Sequence, residues 1–142
     1  MDPATVLGLI ASISTIIEST TKAIGYVNDV KDAPAERAQF ARHASSLLAL
    51  LTDLKYRIEE LKPISDPWFK ALSGLDTYGG SLDQLRDQME CLARKLEPSD
   101  GRLGKMGKAL TWSLDKKEIE KVLAQIERVK SLVMIALQYD QL

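Results

Sequence analysis

Two single side chains and one short segment could carry chemistry in this chain, and each falls short of a catalytic constellation. His43 is the sole histidine and Cys91 the sole cysteine. No second imidazole exists to orient a His–Cys dyad, and there are too few nitrogen and sulfur ligands for most zinc sites. Both residues border apolar stripes, which predicts a bundle-edge histidine and a buried, inert thiol. The third candidate, Gly101-Arg102-Leu103-Gly104-Lys105-Met106-Gly107-Lys108-Ala109, has the composition of a phosphate-binding loop but not its spacing. Such a loop needs two glycines four residues apart, followed by Lys and Ser/Thr; here Ala109 follows Lys108, and no glycine precedes Gly107 at that interval. Two readings remain for this stretch. It is a flexible connection with solvated lysines, or it is a headgroup site. In the second, Arg102, Lys105 and Lys108, uninterrupted by acids and flanked by Leu103, Met106 and Trp112, attract anionic lipid at about 1 kcal/mol per basic residue. Nothing in this inventory supports an enzyme, a metal or a cofactor.

The elements that position these residues read as helices, with no convincing strand. The first runs roughly from Pro3 to Val30 and carries Val6, Ile10, Ile13, Ile17, Thr20, Ile24 and Val27 at alternating spacings of four and three. The second follows Asp32 and Pro34 with Phe40, Ala44, Leu47, Leu51, Leu54, Ile58 and Leu61 on the same period, and Pro63 ends it. Residues 66–72, Asp-Pro-Trp-Phe-Lys-Ala-Leu, read as a short capped helix that packs two aromatic rings over the bundle, before Gly79-Gly80 breaks the chain. The third long helix begins at Ser81, with Gln84 at capping-box spacing, and continues through Leu82, Leu85, Met89, Leu92 and Leu96. A linker rich in glycine and basic residues leads to the fourth. That helix starts at Asp115 with Glu118 completing a second capping box, and it runs through Ile119, Val122, Ile126, Val129, Val133 and Ala136. The predicted fold is all-α: one domain spanning residues 1–142, an antiparallel four-helix bundle with an additional short helix between the second and third long helices.

The first segment is the most informative. No charged residue stands between Asp2 and Glu18. The period marks one packed face, yet the remaining surface holds Ala4, Gly8, Ala11, Ser12, Ser14 and Thr15 rather than charges. Ala4, Gly8 and Ser12 form a small-xxx-small ridge of the kind that lets helices approach closely in lipid as well as in water. A run of 15 uncharged residues rises only about 22 Å, too short to span a bilayer unaided. Extending it past Glu18 and Lys22 would place a carboxylate in the membrane at about 2.5–3.5 kcal/mol near its centre. The segment is also a poor secretory signal, because Asp2 is the only charge before it. A helix packed at rest and able to leave when triggered fits these features.

The formal net charge of −1 argues against general nucleic-acid binding. The charge is uneven: residues 94–142 hold 10 basic and 7 acidic side chains, a net +3 that suits an anionic surface, although for most of those residues a solvated helix with mixed charges is the better reading. One cysteine allows no intrachain disulfide, which suits a reducing compartment such as the cytoplasm. The run Ser131-Leu132-Val133-Met134-Ile135-Ala136-Leu137 is apolar on nearly every face and predicts partners on more than one side.

Taken in order, these features resemble a known group. The carriers are the opening Asp2-Pro3 with its apolar helix, the segment Val27-Asn28-Asp29-Val30-Lys31-Asp32-Ala33-Pro34, and the ending Leu110-Thr111-Trp112, Lys116-Lys117-Glu118-Ile119, Ile126-Glu127-Arg128-Val129-Lys130-Ser131-Leu132 and Ala136-Leu137-Gln138. Together they resemble the HeLo-like N-terminal domain of fungal STAND receptors, the NLR-like proteins with a central NTPase. The resemblance implies a helical-bundle effector of programmed cell death, in innate immunity or heterokaryon incompatibility. It is similar to the HeLo domain of a prion-controlled incompatibility protein and to the bundle of the mixed-lineage kinase-like necroptosis executor. Such domains are silent in the cytoplasm and permeabilise the plasma membrane after clustering. The resemblance further implies self-association on activation and a downstream NTPase or amyloid-signalling partner. The inserting element maps to Pro3–Ile17, with Val6, Leu9, Ile10, Ile13, Ile16 and Ile17 as its apolar surface, and Glu18 with Lys22 departs from a deeply seated helix. The expected function is therefore non-enzymatic membrane permeabilisation; its rival is a protein–protein adaptor whose first helix stays packed.

Overall fold

Proline at the head of a helix loses nothing, because the first turn has no use for its missing N–H. Pro3 opens α1 (Pro3–Asn28) and Pro34 opens α2 (Pro34–Glu59). Three further helices follow: α3 (Asp66–Leu75), α4 (Ser81–Leu96) and α5 (Lys116–Tyr139). The computed structural model describes residues 3–29, 34–60, 66–75, 80–96 and 116–139, and these are helical apart from short turns. The short helix expected at 66–72 extends to Leu75. The start of α4 differs from the predicted capping box. The Gln84 N–H donates to the Gly80 carbonyl at 3.0 Å, so Gly80 rather than Ser81 is the N-cap, and Ser81 is already inside the helix. The second capping residue, Asp115, lies outside the described residues.

The inward stripes of α2, α4 and α5 match the sequence, except that Leu61, the last member expected on α2, lies outside the described residues. Phe40, Ala44, Leu47, Leu51, Leu54 and Ile58, then Leu82, Leu85, Met89, Leu92 and Leu96, then Ile119, Val122, Ile126, Val129, Val133 and Ala136 are all buried in one core. Trp68, Leu72 and Leu75 of α3 join it. The stripe on α1 is rotated from the expected one. Leu9, Ile13, Ile16, Thr20, Ala23 and Val27 are buried, whereas Val6, Ile10, Ile17 and Ile24 flank them and are partly buried. A segment apolar on most sides satisfies two adjacent phases of the helical period equally, and the neighbours decide between them. α1 packs against α2 and α4, so burial centres on the line facing the cleft between those two helices. α5 packs against three helices, α2, α3 and α4.

Candidate functional site

The structure tests first where the six expected membrane-facing residues of α1 lie. Leu9, Ile13 and Ile16 are fully buried, and Val6, Ile10 and Ile17 lean on the core at its edge. At rest, then, this apolar surface belongs to the protein interior. The opposite face of α1 is exposed but carries no charge before Glu18: Leu7 is 66% exposed, and Gly8, Ala11 and Thr15 accompany it. Its hydroxyls are turned inward on the helix itself. Thr15 Oγ1 donates to the Ala11 carbonyl at 3.0 Å and Thr21 Oγ1 to the Ile17 carbonyl at 2.7 Å, which lowers the polarity this face shows to its surroundings. Charge begins only with Glu18 and Lys22, 4.0 Å apart and both well exposed.

The way α1 is held differs from the way α2, α4 and α5 are held to one another. His43 of α2 donates from Nδ1 to Glu127 Oε1 of α5 at 2.9 Å. Lys95 of α4 donates to Glu118 Oε1 of α5 at 2.8 Å, and Gln125 Nε2 of α5 donates to the Ser81 carbonyl at 3.0 Å. Polar ties thus bind α5 to both α2 and α4. Among the described residues, the side-chain hydrogen bonds and the ion pair of α1 all stay within α1, so its attachment to α2 and α4 is packing without polar ties. No helix among the described residues is long and apolar enough to cross a membrane.

His43 is the bundle-edge histidine the sequence predicts, half-buried and paired. Lys130 hydrogen-bonds the same Glu127 carboxylate, and that bond holds the Glu127 pKa below its ordinary 4.5; burial opposes it, and the Lys130 charge and the contact with His43 add lesser lowering effects. Cys91 departs from expectation. It is exposed, because Met89 and Leu92 take the inward positions of α4 and a residue two places from Met89 points about 200° away. It borders a shallow groove of about 190 Å³ with Gln88 and Lys95 of α4 and Glu118 and Lys121 of α5. A second open groove, about 290 Å³, runs along the α1–α4 seam between Glu18, Ser19, Lys22 and Tyr26 on one side and Glu90 and Arg94 on the other. No hydrogen bond ties Cys91 to Lys95, Glu118 or Lys121 in the first groove, and no group of three metal-ligating side chains occurs among the described residues. The basic candidates Arg102, Lys105 and Lys108, with Trp112, lie outside the described residues, as does the side chain of Phe69. Of the apolar run near the C-terminus, Val133 and Ala136 are buried, but Met134 and Ile135 are 51% and 47% exposed. The described residues therefore cover one side of that run and leave the other open.

No local pattern points to the His43–Glu127 pair, whose members are 84 positions apart. No family model, curated protein or solved structure matches the chain.

Proposed function

We propose that this domain is a membrane-permeabilising effector of programmed cell death, in which α1 leaves the bundle and enters the bilayer. The observation that carries this is the seating of α1 by packing alone, without a polar tie to another helix among the described residues. Leu9, Ile13 and Ile16 sit in the core without any cross-helix hydrogen bond or ion pair among the described residues, and the outer face of the helix is uncharged up to Thr15. An apolar seat can be exchanged for acyl chains without leaving a broken polar bond behind, whereas withdrawing α5 would strand the partners of Glu127 and Glu118. At about 22 Å the uncharged part suits oblique or interfacial seating, and oligomerisation would then complete a lesion. Arg102, Lys105 and Lys108 supply the attraction to anionic headgroups, and the proposed setting is a cytoplasmic protein recruited to the plasma membrane by an NTPase or amyloid-signalling partner.

The proposed frame is an antiparallel four-helix bundle of α1, α2, α4 and α5, with α3 laid against α5. The packing partners support it: α1 and α5 each pack against both α2 and α4. Lys95 near the end of α4 meets Glu118 near the start of α5, while Ser81 at the start of α4 meets Gln125 further along, so those two helices run in opposite directions.

Dye release from vesicles containing anionic lipid tests the function. Release that depends on protein concentration and increases with the anionic fraction is the expected result; intact vesicles at every concentration would favour the adaptor. That second reading has one observation behind it, the exposed Met134 and Ile135 on α5, which suit a protein partner.

A further inference from the structure

α1 buries a hydroxyl that no described residue satisfies. Three polar residues are buried among the described residues: Ser19, Thr20 and Gln125. Gln125 donates to Ser81, but Thr20 is fully buried and its Oγ1 has no hydrogen-bond partner among the described residues. Thr15 and Thr21 of the same helix bond the carbonyls four residues back, so the helix geometry permits that bond and Thr20 does not make it. A valine would fill nearly the same volume without the desolvated oxygen, so the residue at this position weakens the seat of α1. The penalty disappears as soon as the helix lifts, because water then reaches the hydroxyl.

Lifting α1 also leaves the rest of the fold connected. α5 keeps its contacts with α2, α3 and α4, together with the His43–Glu127 and Lys95–Glu118 pairs. We propose that Thr20 is a built-in weak point that sets how readily α1 detaches from an otherwise folded body of α2 to α5. The proposal rests on the release of α1 put forward above, but its test needs no membrane.

Amide hydrogen exchange of the intact chain, without lipid, is compared for wild type, Thr20→Val and Val129→Ala. Thr20→Val slows exchange across Leu9–Val27 about tenfold, the amount expected from removing one unsatisfied buried hydroxyl. Val129→Ala, which truncates a buried side chain of α5, speeds exchange in α5 and leaves α1 unchanged, because α1 opens before the α5 packing is disturbed. Unchanged or faster exchange of α1 in Thr20→Val overturns the proposal. So does acceleration of α1 equal to that of α5 in Val129→Ala, which would show that α1 opens only when the whole domain unfolds. Vesicle leakage by the same Thr20→Val protein separates the two levels: slower exchange with undiminished leakage keeps Thr20 as the weak point and refutes release as the route to permeabilisation.

Discussion

Leu7→Glu separates insertion from folding, because Leu7 lies on α1 but outside the core. At 66% exposure its side chain gives the resting bundle little, and an exposed helical position accepts glutamate with a change of about 0.5 kcal/mol or less. In a bilayer the same replacement is severe. On insertion scales leucine is favourable by about 0.5 kcal/mol and a charged residue unfavourable by about 3 at a helix centre, a swing near 3.5 kcal/mol. Leu7 is four residues from the start of α1, about 6 Å along the axis, so roughly half of that swing applies. About 2 kcal/mol then corresponds to a roughly thirtyfold weaker insertion. Urea unfolding measures the first quantity, and dye release from anionic vesicles, titrated with protein, measures the second. The expected result is an unchanged midpoint with leakage shifted to about thirtyfold higher protein concentration. Undiminished leakage by a normally stable Leu7→Glu protein would refute the entry of this face of α1 into lipid.

Gly25→Ala should stabilise the domain by about 0.5–1 kcal/mol in urea unfolding, since Gly25 is helical and a Cβ added there meets no atom within 4 Å. Ile13→Glu should abolish leakage at any salt concentration, because it places a carboxylate on a fully buried position that is also on the inserting surface. Lys105→Glu should reduce leakage only at low ionic strength, as salt screens headgroup attraction; a larger effect of Lys105→Glu at physiological salt would make headgroup binding the decisive step. The depressed pKa of Glu127 means that its carboxylate favours the folded state above 4.5, and that this contribution fades as pH falls through the lower folded value. Acid unfolding should therefore show a small loss of stability below pH 4.5 that Glu127→Gln lacks, small because the carboxylate is about half exposed.

The helices and most of the core were legible because polar residues fix the phase of a helix. In α4, for example, Asp83, Gln84, Asp87, Arg94 and Lys95 occupy the outer positions, so only Leu82, Leu85, Met89, Leu92 and Leu96 can face inward. Cys91 was misplaced because a lone cysteine beside an apolar stripe reads as part of it, whereas the rotation per residue carries it outward. The pairing of His43 with Glu127 depends on which helices are neighbours, and no local pattern encodes that. For α1 the existence of the helix was plain and its rotation was not.

That ambiguity and the proposed activity have one physical origin. Rotating α2, α4 or α5 by one residue would bury a charged side chain, and the desolvation cost holds each at one angle. Between residues 3 and 17 α1 has no charge to bury, so shape alone selects Leu9, Ile13 and Ile16 over Val6, Ile10 and Ile17. Close packing against α2 and α4 supplies that selection in the folded bundle. A bilayer, being fluid, makes no such selection and accepts either set of apolar side chains. A helical segment whose rotational angle is set by the shape of its neighbours loses little specificity on leaving them, and the fully buried hydroxyl of Thr20, without a partner among the described residues, falls on a helix whose departure leaves the rest of the core joined through α5.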